Sequence, residues 1–319
     1  MIKEVIVVSP RGFCAGVARS IKVVEDCLEI FGAPIYVKHA IVHNKTVVSD
    51  LEKKGVITVE HVSDIPEGSV AVFSAHGSPP EHYEEAVRRN IRVIDATCPL
   101  VAKVHMEIKQ YIRDGYKIIY IGHKGHVEGL GVIGEALQYG VDVPTIESVA
   151  DAEQIFCEPN EKVACLTQTT LSVDETREII ETIKKRCAQI VEPPAKDICY
   201  ATTNRQKAIR HVSHMVDLML IVGSKTSSNS NRLREVAEQN GCHAYLIDSV
   251  EEIQSDWLEG IEHVGISAGA SAPEYKVQEI VGRFVQDSAI VKHVSTVKEN
   301  MVFTEPIELM KARQSHGGA

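Results

Sequence analysis

Residues 6–24 read IVVSPRGFCAGVARSIKVV: a short apolar run, one cysteine at position 14, and then the spacing of an amphipathic helix. The same order recurs in residues 91–108, IRVIDATCPLVAKVHMEI with Cys98, and in residues 194–209, PAKDICYATTNRQKAI with Cys199. The three cysteines lie 84 and 101 residues apart, which predicts three similar structural units. A thiol at a helix N-terminus is biased towards thiolate by the backbone N–H groups and the helix dipole, which suits a metal or cluster ligand.

Apolar runs of strand length alternate with longer helical patterns along the chain, and this alternation predicts α/β units with mainly parallel sheets. The predicted strands cover residues 5–8, 35–37, 70–73, 92–94, 117–121, 163–166, 218–222, 244–247 and 264–266. Polar, glycine-bearing loops follow several of these runs. Ligands of open α/β sheets collect outside the C-terminal ends of the strands. We therefore expect three α/β lobes arranged around a centre where the three thiolates and the polar loops meet.

The length of 319 residues is enough for two or three domains, and the cysteine pattern favours three. We place the lobes at residues 1–97, 98–195 and 196–283, followed by a C-terminal tail at 284–319. The stretch before Cys98 marks the first boundary and Pro193-Pro194 the second. Within the tail, residues 289–291 are strand-like, and we expect the terminal QSHGGA to be mobile.

Composition excludes several classes of protein. The formal net charge of −10 argues against a nucleic-acid-binding surface, and no apolar stretch approaches the ~20 residues that span a bilayer. The opening MIKEVIVVSP predicts a strand rather than a secretory leader, so we expect a cytoplasmic protein with no membrane partner. In a reducing compartment the remaining cysteines are expected to be packing or surface thiols: Cys27, Cys157, Cys165, Cys187 and Cys242.

Three separated thiolates are compatible with zinc, with histidine as a fourth ligand, or with an iron-sulfur cluster. Structural zinc sites usually contain a tight C-x2-C pair, which this sequence lacks, so a cluster is favoured. Three protein ligands would leave one iron of a four-iron cluster open as a Lewis-acid site for a substrate oxygen. A zinc-dependent hydrolase and a non-catalytic iron-sulfur redox sensor remain alternatives.

Polar side chains in the predicted loops form a donor set suited to an anionic group such as diphosphate. They are His43, His76, His126, Ser227, Ser228, Asn229 and Ser271. The chain has no Walker P-loop, and the GxGxxG spacing at residues 129–134 lacks the strand and acidic residue of a dinucleotide site. Glu128 is a candidate proton donor, while Thr169 and Thr170 are placed to orient a hydroxyl or to cap the next helix.

Nine motifs in a fixed order resemble the LytB family of 4-hydroxy-3-methylbut-2-enyl diphosphate reductases. They are PRGFCAGV, VHN, SAHGS, DATCPLV, GHKGHVE, TQTTLS, DICYATTNRQ, GSKTSSNSNRL and SAGASAPE. Together they extend over nearly the whole chain, and the part after about residue 282 is the least diagnostic. The resemblance implies a three-lobed α/β fold around a 4Fe-4S cluster held by Cys14, Cys98 and Cys199.

The resemblance also implies roles for the polar residues. The diphosphate would be contacted by His43, His76, His126, Ser227, Ser228, Asn229 and Ser271, with Thr169 near the substrate hydroxyl and Glu128 delivering a proton. The implied reaction is the reductive dehydroxylation of an allylic diphosphate to isopentenyl and dimethylallyl diphosphates, the last step of the non-mevalonate isoprenoid pathway. Without a flavin or nicotinamide motif, electrons would come from a separate ferredoxin or flavodoxin. The candidate docking residues are Arg88, Arg89 and Arg92 or Lys184, Lys185 and Arg186, and solvated helix faces are the alternative explanation for these basic residues.

Overall fold

The computed structural model describes residues 2–192 and 197–316. The strands of the described residues are β1 (Glu4–Ser9), β2 (Ile35–Lys38), β3 (Val56–Val59), β4 (Val70–Phe73), β5 (Arg92–Asp95), β6 (Lys117–Ile121), β7 (Thr145–Ile146), β8 (Lys162–Thr167), β9 (Gln189–Val191), β10 (Leu218–Val222), β11 (His243–Ile247), β12 (His263–Ala268) and β13 (Ile290–Ser295). The α-helices are α1 (Ala15–Phe31), α2 (Lys45–Glu52), α3 (Pro80–Arg88), α4 (Pro99–Arg113), α5 (Val127–Leu137), α6 (Val149–Glu153), α7 (Val173–Lys184), α8 (Tyr200–Ser213), α9 (Ser228–Gln239), α10 (Glu274–Gln286) and α11 (Ile307–His316).

These elements belong to two compact units that are discontinuous in sequence. The first unit holds the described residues of Met1–Ala15, His43–Val47 and Tyr200–Val302. The second holds those of Gly16–Val42, Val48–Cys199 and Phe303–Ala319.

The first unit contains one five-stranded parallel sheet in the order β11-β10-β12-β1-β13. Strand β1 is buried on both faces, as its continuous apolar run predicts. Val5 and Val7 pack into the core that includes α10, whereas Ile6 and Val8 pack into the core formed with α8 and α9. The loops that follow β1, β10 and β12 therefore start from a rigid sheet at its C-terminal edge.

The position of β1 differs from the expected lobe boundaries. We assigned residues 1–97 to the first lobe and 284–319 to an appended tail, but β1 pairs with both β12 and β13. The opening strand thus belongs to the sheet of the third lobe, and β13 is an edge strand of that sheet rather than part of a separate tail. The division into lobes otherwise stays a prediction. The boundary at residues 195 and 196, the Pro193-Pro194 pair and the last three residues of QSHGGA lie outside the described residues.

The second unit contains two four-stranded parallel sheets, ordered β3-β2-β4-β5 and β7-β6-β8-β9. Helices α3 and α4 contact α5, and the loop after β4 approaches α5 closely, because a Cβ on Gly134 would overlap Pro79. Gly77 in that loop has φ +80°, and a Cβ there would lie 2.7 Å from Nε2 of His105 on α4. Only glycine fits this backbone conformation and this close approach. The expected mixed α/β fold with three parallel sheets is confirmed.

None of the helices within residues 2–192 and 197–316 combines the length and apolar character needed to cross a bilayer.

Cys157 and Cys187, which we expected to be thiols, form a disulfide. Their Cα atoms are 5.2 Å apart, and the bridge closes a segment with a sequence separation of 30 residues. It joins the loop before β8 to the chain just after α7, at the edge of the core around β6 and β8. The disulfide could not be predicted from sequence, because the two cysteines are far apart in the chain and only tertiary packing brings them together.

The disulfide should contribute measurably to the stability of the second unit. Closing a loop of this length is worth about 3–4 kcal/mol in the chain-entropy description. Under anaerobic conditions a thiol reductant should therefore lower the Tm of the wild-type chain and leave the Cys157→Ser/Cys187→Ser double variant unchanged. An equal response of the two proteins would contradict the bridge.

Candidate functional site

The N-terminus of α9 gathers polar groups in the first unit. Ser227 is its N-cap, and its Oγ accepts the backbone N–H of Ser230 at 3.3 Å. Ser228 is the first helical residue. Asn229 is buried, and its Oδ1 accepts the N–H of Ala270 at 2.8 Å. The first backbone N–H groups of a helix and its dipole favour an anion at this position.

Ser271 connects that helix end to the histidine of the VHN motif. The Ser271 Oγ lies 3.4 Å from the Ser227 Oγ and donates to the backbone carbonyl of His43 at 3.2 Å. Ser227 and Ser271 are 3% and 6% exposed, so their hydroxyls are shielded from bulk water. The first unit thus brings Ser227, Ser228, Asn229 and Ser271 together at the backbone of His43.

Cys14 is held by the same loop that carries Ser271. The backbone N–H of Cys14 donates to the carbonyl of Ala270 at 3.1 Å. Two residues earlier, the carbonyl of Gly12 accepts a hydrogen bond at 2.8 Å from Nη2 of Arg205, a guanidinium that is 1% exposed. Glu299 balances that buried charge, with its carboxylate 3.1 Å from Nη1 of Arg205. The turn that presents Cys14 is therefore fixed on both sides.

Glu128 and Thr169 form a buried pair in the second unit. The backbone N–H of Thr169 donates to Oε1 of Glu128 at 2.6 Å, and its hydroxyl lies 2.8 Å from Oε2. Both residues are buried, at 2% and 5% exposure. The carboxyl group thus has a fixed orientation, with one oxygen on a backbone donor and the other on a hydroxyl that can either donate or accept.

The environment of Glu128 shifts the pKa of its carboxyl towards neutral pH. Burial raises the pKa of its carboxyl to about 7, and nearby Asp197 adds to the rise. The two hydrogen bonds from Thr169 act in the opposite direction because they favour the charged form. A general acid works best when its pKa lies near the operating pH.

His126 caps α5 and has a defined tautomer. Its Nδ1 accepts the backbone N–H of Glu128 at 3.2 Å, so in the neutral ring the proton lies on Nε2, which is a donor. The ring of His76 makes an edge contact with it, with centroids 6.4 Å apart. Ser74 Oγ lies 3.2 Å from Nδ1 of His76. Two histidines of separate motifs therefore lie side by side in this unit.

Cys98 and Cys199 are each tied to a polar loop in the second unit. Cys98 is the N-cap of α4, and its N–H donates to the carbonyl of Ala75, next to His76, at 3.0 Å. The N–H of Cys199 donates to the carbonyl of Thr169 at 3.0 Å. The residue that orients Glu128 thus also orients the backbone of Cys199.

An ion pair links the helix of Cys98 to the segment before Cys199. Nζ of Lys103 on α4 lies 2.7 Å from Oδ1 of Asp197, whose side chain is 1% exposed. Burial raises the pKa of Asp197, and the hydrogen bond from Lys103 opposes that rise.

The chemistry of the cysteines separates candidate ligands from packing residues. Burial raises the pKa of Cys27 and Cys165 to about 12 and that of Cys242 to about 11, so these thiols stay protonated. Cys14, Cys98 and Cys199 are thiols with intermediate exposure, each directly before a helix. This second set has the properties of metal or cluster ligands.

The predicted site residues are thus distributed over the two units. The first unit brings Cys14 together with the cluster around α9, and the second brings together His76, His126, Glu128 and Thr169 near the segments of Cys98 and Cys199. Sequence reasoning missed the charged residues that support these turns: Lys103, Asp197, Arg205 and Glu299. Asp197 and Arg205 lie within the quoted motif DICYATTNRQ, which was the signal available for them.

The sequence profile described as LytB protein matches residues 5–285. The chain is 47% identical over 307 residues to the 4-hydroxy-3-methylbut-2-enyl diphosphate reductase of Tolumonas auensis, which covers 96% of this chain and 99% of that protein. The solved structure of the E-1-hydroxy-2-methyl-but-2-enyl-4-diphosphate reductase from Plasmodium falciparum superposes with a TM-score of 0.96 at 35% identity, covering 99% of this chain and 100% of the other. A second solved (E)-4-hydroxy-3-methyl-but-2-enyl diphosphate reductase, described as the terminal enzyme of the non-mevalonate pathway, gives a TM-score of 0.63 at 30% identity, covering 89% of this chain and 100% of that one. A profile match over most of the chain and high identity over full-length relatives lead to one conclusion: the chain belongs to the LytB family.

Proposed function

We propose that this protein is a 4-hydroxy-3-methylbut-2-enyl diphosphate reductase that acts in the last step of the non-mevalonate isoprenoid pathway. It cleaves the allylic C–O bond of the substrate with two electrons and two protons. One proton leaves with the hydroxyl as water, and the other forms the new C–H bond of isopentenyl or dimethylallyl diphosphate. Membership of the LytB family supports this reaction.

The observation that carries the proposal is the buried pair of Glu128 and Thr169. The backbone carbonyl of Thr169 also accepts the N–H of Cys199. A carboxyl with a pKa of about 7 can be protonated at neutral pH and still give up its proton. Protonated at Oε2, Glu128 donates to the Thr169 hydroxyl, whose own hydrogen then turns towards a substrate oxygen. When the proton passes to the leaving hydroxyl, the direction of the Glu128–Thr169 hydrogen bond reverses.

Recognition of the diphosphate follows from donors that are mostly neutral. The N-terminus of α9 with Ser227, Ser228 and Asn229 offers N–H and O–H groups, and Nε2 of His126 offers another donor. In a chain with net charge −10 the global field does not attract an anion, so local dipoles must hold it. We propose that His43, His76 and Ser271 complete this donor set and fix the orientation of the substrate.

We propose that Cys14, Cys98 and Cys199 hold one 4Fe-4S cluster, consistent with their thiol chemistry and position before three helices. When bound, the cluster would supply electrons one at a time and an iron site open to a substrate oxygen. The protein contributes the fixed turns around the thiolates and, in the second unit, the buried Glu128, whose partner Thr169 also binds the backbone of Cys199.

We propose that an external ferredoxin or flavodoxin supplies the electrons and docks on the arginines near the end of α3. Lys184 is a weaker candidate for docking because it pairs with Glu181 at 2.8 Å and with Glu192 at 2.6 Å. Arg88 is exposed, and its neighbour Val87 is 77% exposed, so the end of α3 presents a positive charge beside an apolar side chain. Such a surface is typical of transient contacts with acidic partners.

Anaerobic purification followed by iron and sulfide assay tests this function. We expect about four iron and four sulfide per chain and visible charge-transfer absorption. With a chemical reductant, the loaded protein should convert the allylic diphosphate into both products. Zinc without sulfide would indicate a hydrolase, and a cluster without turnover would indicate a redox sensor; either result would overturn the proposal.

Substitution of His126 should separate diphosphate binding from chemistry. Asparagine keeps an acceptor for the Glu128 N–H, so α5 remains capped, but it lacks the Nε2 donor. We expect the substrate Kd of His126→Asn to rise by about 10- to 100-fold, the value of a hydrogen bond to a charged group. His123→Asn in the same loop is the matched control and should bind normally. An unchanged Kd in His126→Asn would remove this residue from diphosphate recognition.

A further inference from the structure

We propose that Arg19 and the C-terminal segment 303–316 form a brace that holds the turn carrying Cys98, which makes Arg19 a positioning residue for this ligand. The brace would give the C-terminal segment a function in cluster retention. This inference rests on the proposed ligation by Cys98. All of the residues involved lie in the second unit.

Arg19 connects three backbone carbonyls from two distant parts of the chain. Its Nη1 donates to the carbonyls of Ala96 at 3.2 Å and Thr97 at 3.0 Å, the two residues before Cys98. Its Nε donates to the carbonyl of Thr304 at 2.6 Å. A planar guanidinium can satisfy several acceptors in a fixed geometry, whereas a lysine ammonium is a compact point charge on a flexible stem.

The C-terminal segment is anchored independently of Arg19. Leu309 on α11 is fully buried, and α11 lies against β5, the strand that leads directly into the Cys98 turn. Arg313 on the same helix pairs with Asp26 of α1 at 2.9 Å and with Glu305 at 3.0 Å. The carbonyl of Thr304 is therefore presented to Arg19 by a packed helix rather than by a loose end.

The opposite side of the Cys98 turn is also fixed. The N–H of Ala96 donates to the carbonyl of Phe73 at 2.9 Å, and the N–H of Cys98 donates to that of Ala75 at 3.0 Å. Asp95 accepts the N–H and hydroxyl of Thr97 within the turn. The N–H groups of Ala96 and Cys98 thus donate to β4 and the loop after it, while the carbonyls of Ala96 and Thr97 accept from Arg19.

Burial lowers the pKa of Arg19, and its electrostatic interactions with Asp95 and Cys98 act in the opposite direction. The hydrogen bonds to Ala96 and Thr97 place the guanidinium against the two residues that precede Cys98. Residues outside the ligand shell typically change metal affinity by about 10- to 100-fold when they orient a ligand. The brace should therefore affect how firmly the cluster is held.

Hydrogen exchange in the full-length protein tests the brace whether or not a cluster is bound. In Arg19→Met, the amides of residues 96–98 should exchange about tenfold faster because the turn opens more often. Arg313→Met should produce a smaller increase at the same amides by loosening α11. Arg177→Met is the matched control, because Arg177 forms an exposed pair with Asp174 on α7 of the same unit. Unchanged exchange at residues 96–98 in both brace variants would overturn the proposal.

Cluster retention supplies the second readout. Iron release from the loaded protein to a chelator should be about tenfold faster in Arg19→Met. The rate of iron release from Arg19→Lys should lie between those of Arg19→Met and the wild type. If Arg19→Met does not fold, exchange and iron release in Arg313→Met decide the question. If the wild-type chain holds no iron-sulfur cluster, the proposed function fails, while exchange at residues 96–98 still decides whether the brace exists.

Discussion

Replacing Cys98 with serine is expected to abolish stable iron-sulfur binding and all reductase activity. A serine hydroxyl stays protonated near neutral pH and is a poor ligand for iron, whereas a cysteine thiolate is the usual cluster ligand. The helix should survive the change, because Cys98 is the N-cap of α4 and serine is among the preferred residues at that position. Iron and sulfide per chain, measured after anaerobic purification, should fall to background while the circular dichroism spectrum is retained.

Cys242→Ser is the matched control for this substitution. The Sγ of Cys242 lies 3.4 Å from the carbonyl of His243 and 3.8 Å from that of Val216, so a serine hydroxyl has nearby acceptors. Burial raises the pKa of Cys242, which marks it as a packing thiol. This variant should keep wild-type iron, sulfide and activity. Full iron content in Cys98→Ser would contradict the assignment of Cys98 as a ligand.

Much of the fold was predictable because buried parallel strands have continuous apolar runs. All nine strands expected from such runs are present, including Leu218–Val222 with its predicted bounds. Strands β3, β7 and β9 were missed because they are two to four residues long and lie at sheet edges, where fewer apolar residues are required. The place of β1 could not be predicted, because strand order depends on contacts between residues more than 250 positions apart, such as Val5 and Val264.

The candidate site was predictable where motifs carry reactive side chains and was missed where residues act on the backbone. Glu128 and Thr169 were identified from their motifs, and the structure shows that they contact each other. Arg19 was not identified, because an arginine that binds main-chain carbonyls resembles a solvated charge on a helix. Its partners Thr97 and Thr304 are remote in sequence, and no local pattern links them.

Glu128→Gln should lower kcat by about 10²- to 10⁴-fold, the usual contribution of a general acid. The amide fits the site: its oxygen can accept the Thr169 N–H, and its NH₂ can donate to the Thr169 hydroxyl. Cluster content and diphosphate affinity should therefore stay near wild type. Single-turnover kinetics with a pre-reduced cluster would measure the loss directly, because electron delivery is then complete before the substrate is added.

Thr169 variants provide the control for this result. Thr169→Ser keeps the hydroxyl and should retain most activity, whereas Thr169→Val keeps the backbone bonds to Glu128 and Cys199 but removes the relay. Loss of turnover in the valine variant with a normal cluster spectrum would locate the defect in proton delivery. Normal turnover in Glu128→Gln would remove Glu128 from the mechanism.

The pH dependence of the wild-type chain should show the same group. Glu128 must be protonated to act, so kcat should fall as pH rises through about 7, and the pH profile of Glu128→Gln should lack this decrease.

The free energy of unfolding should also decrease as pH rises. The pKa of Glu128 in the folded state exceeds the ordinary value of 4.5, so the protonated carboxyl favours the folded state. This contribution is lost as pH rises from about 4.5 through 7. The shift corresponds to about 3 kcal/mol. The unfolding free energy of wild type relative to Glu128→Gln should therefore decrease over that range. A constant difference would show that Glu128 titrates normally and would require another proton donor for the reaction.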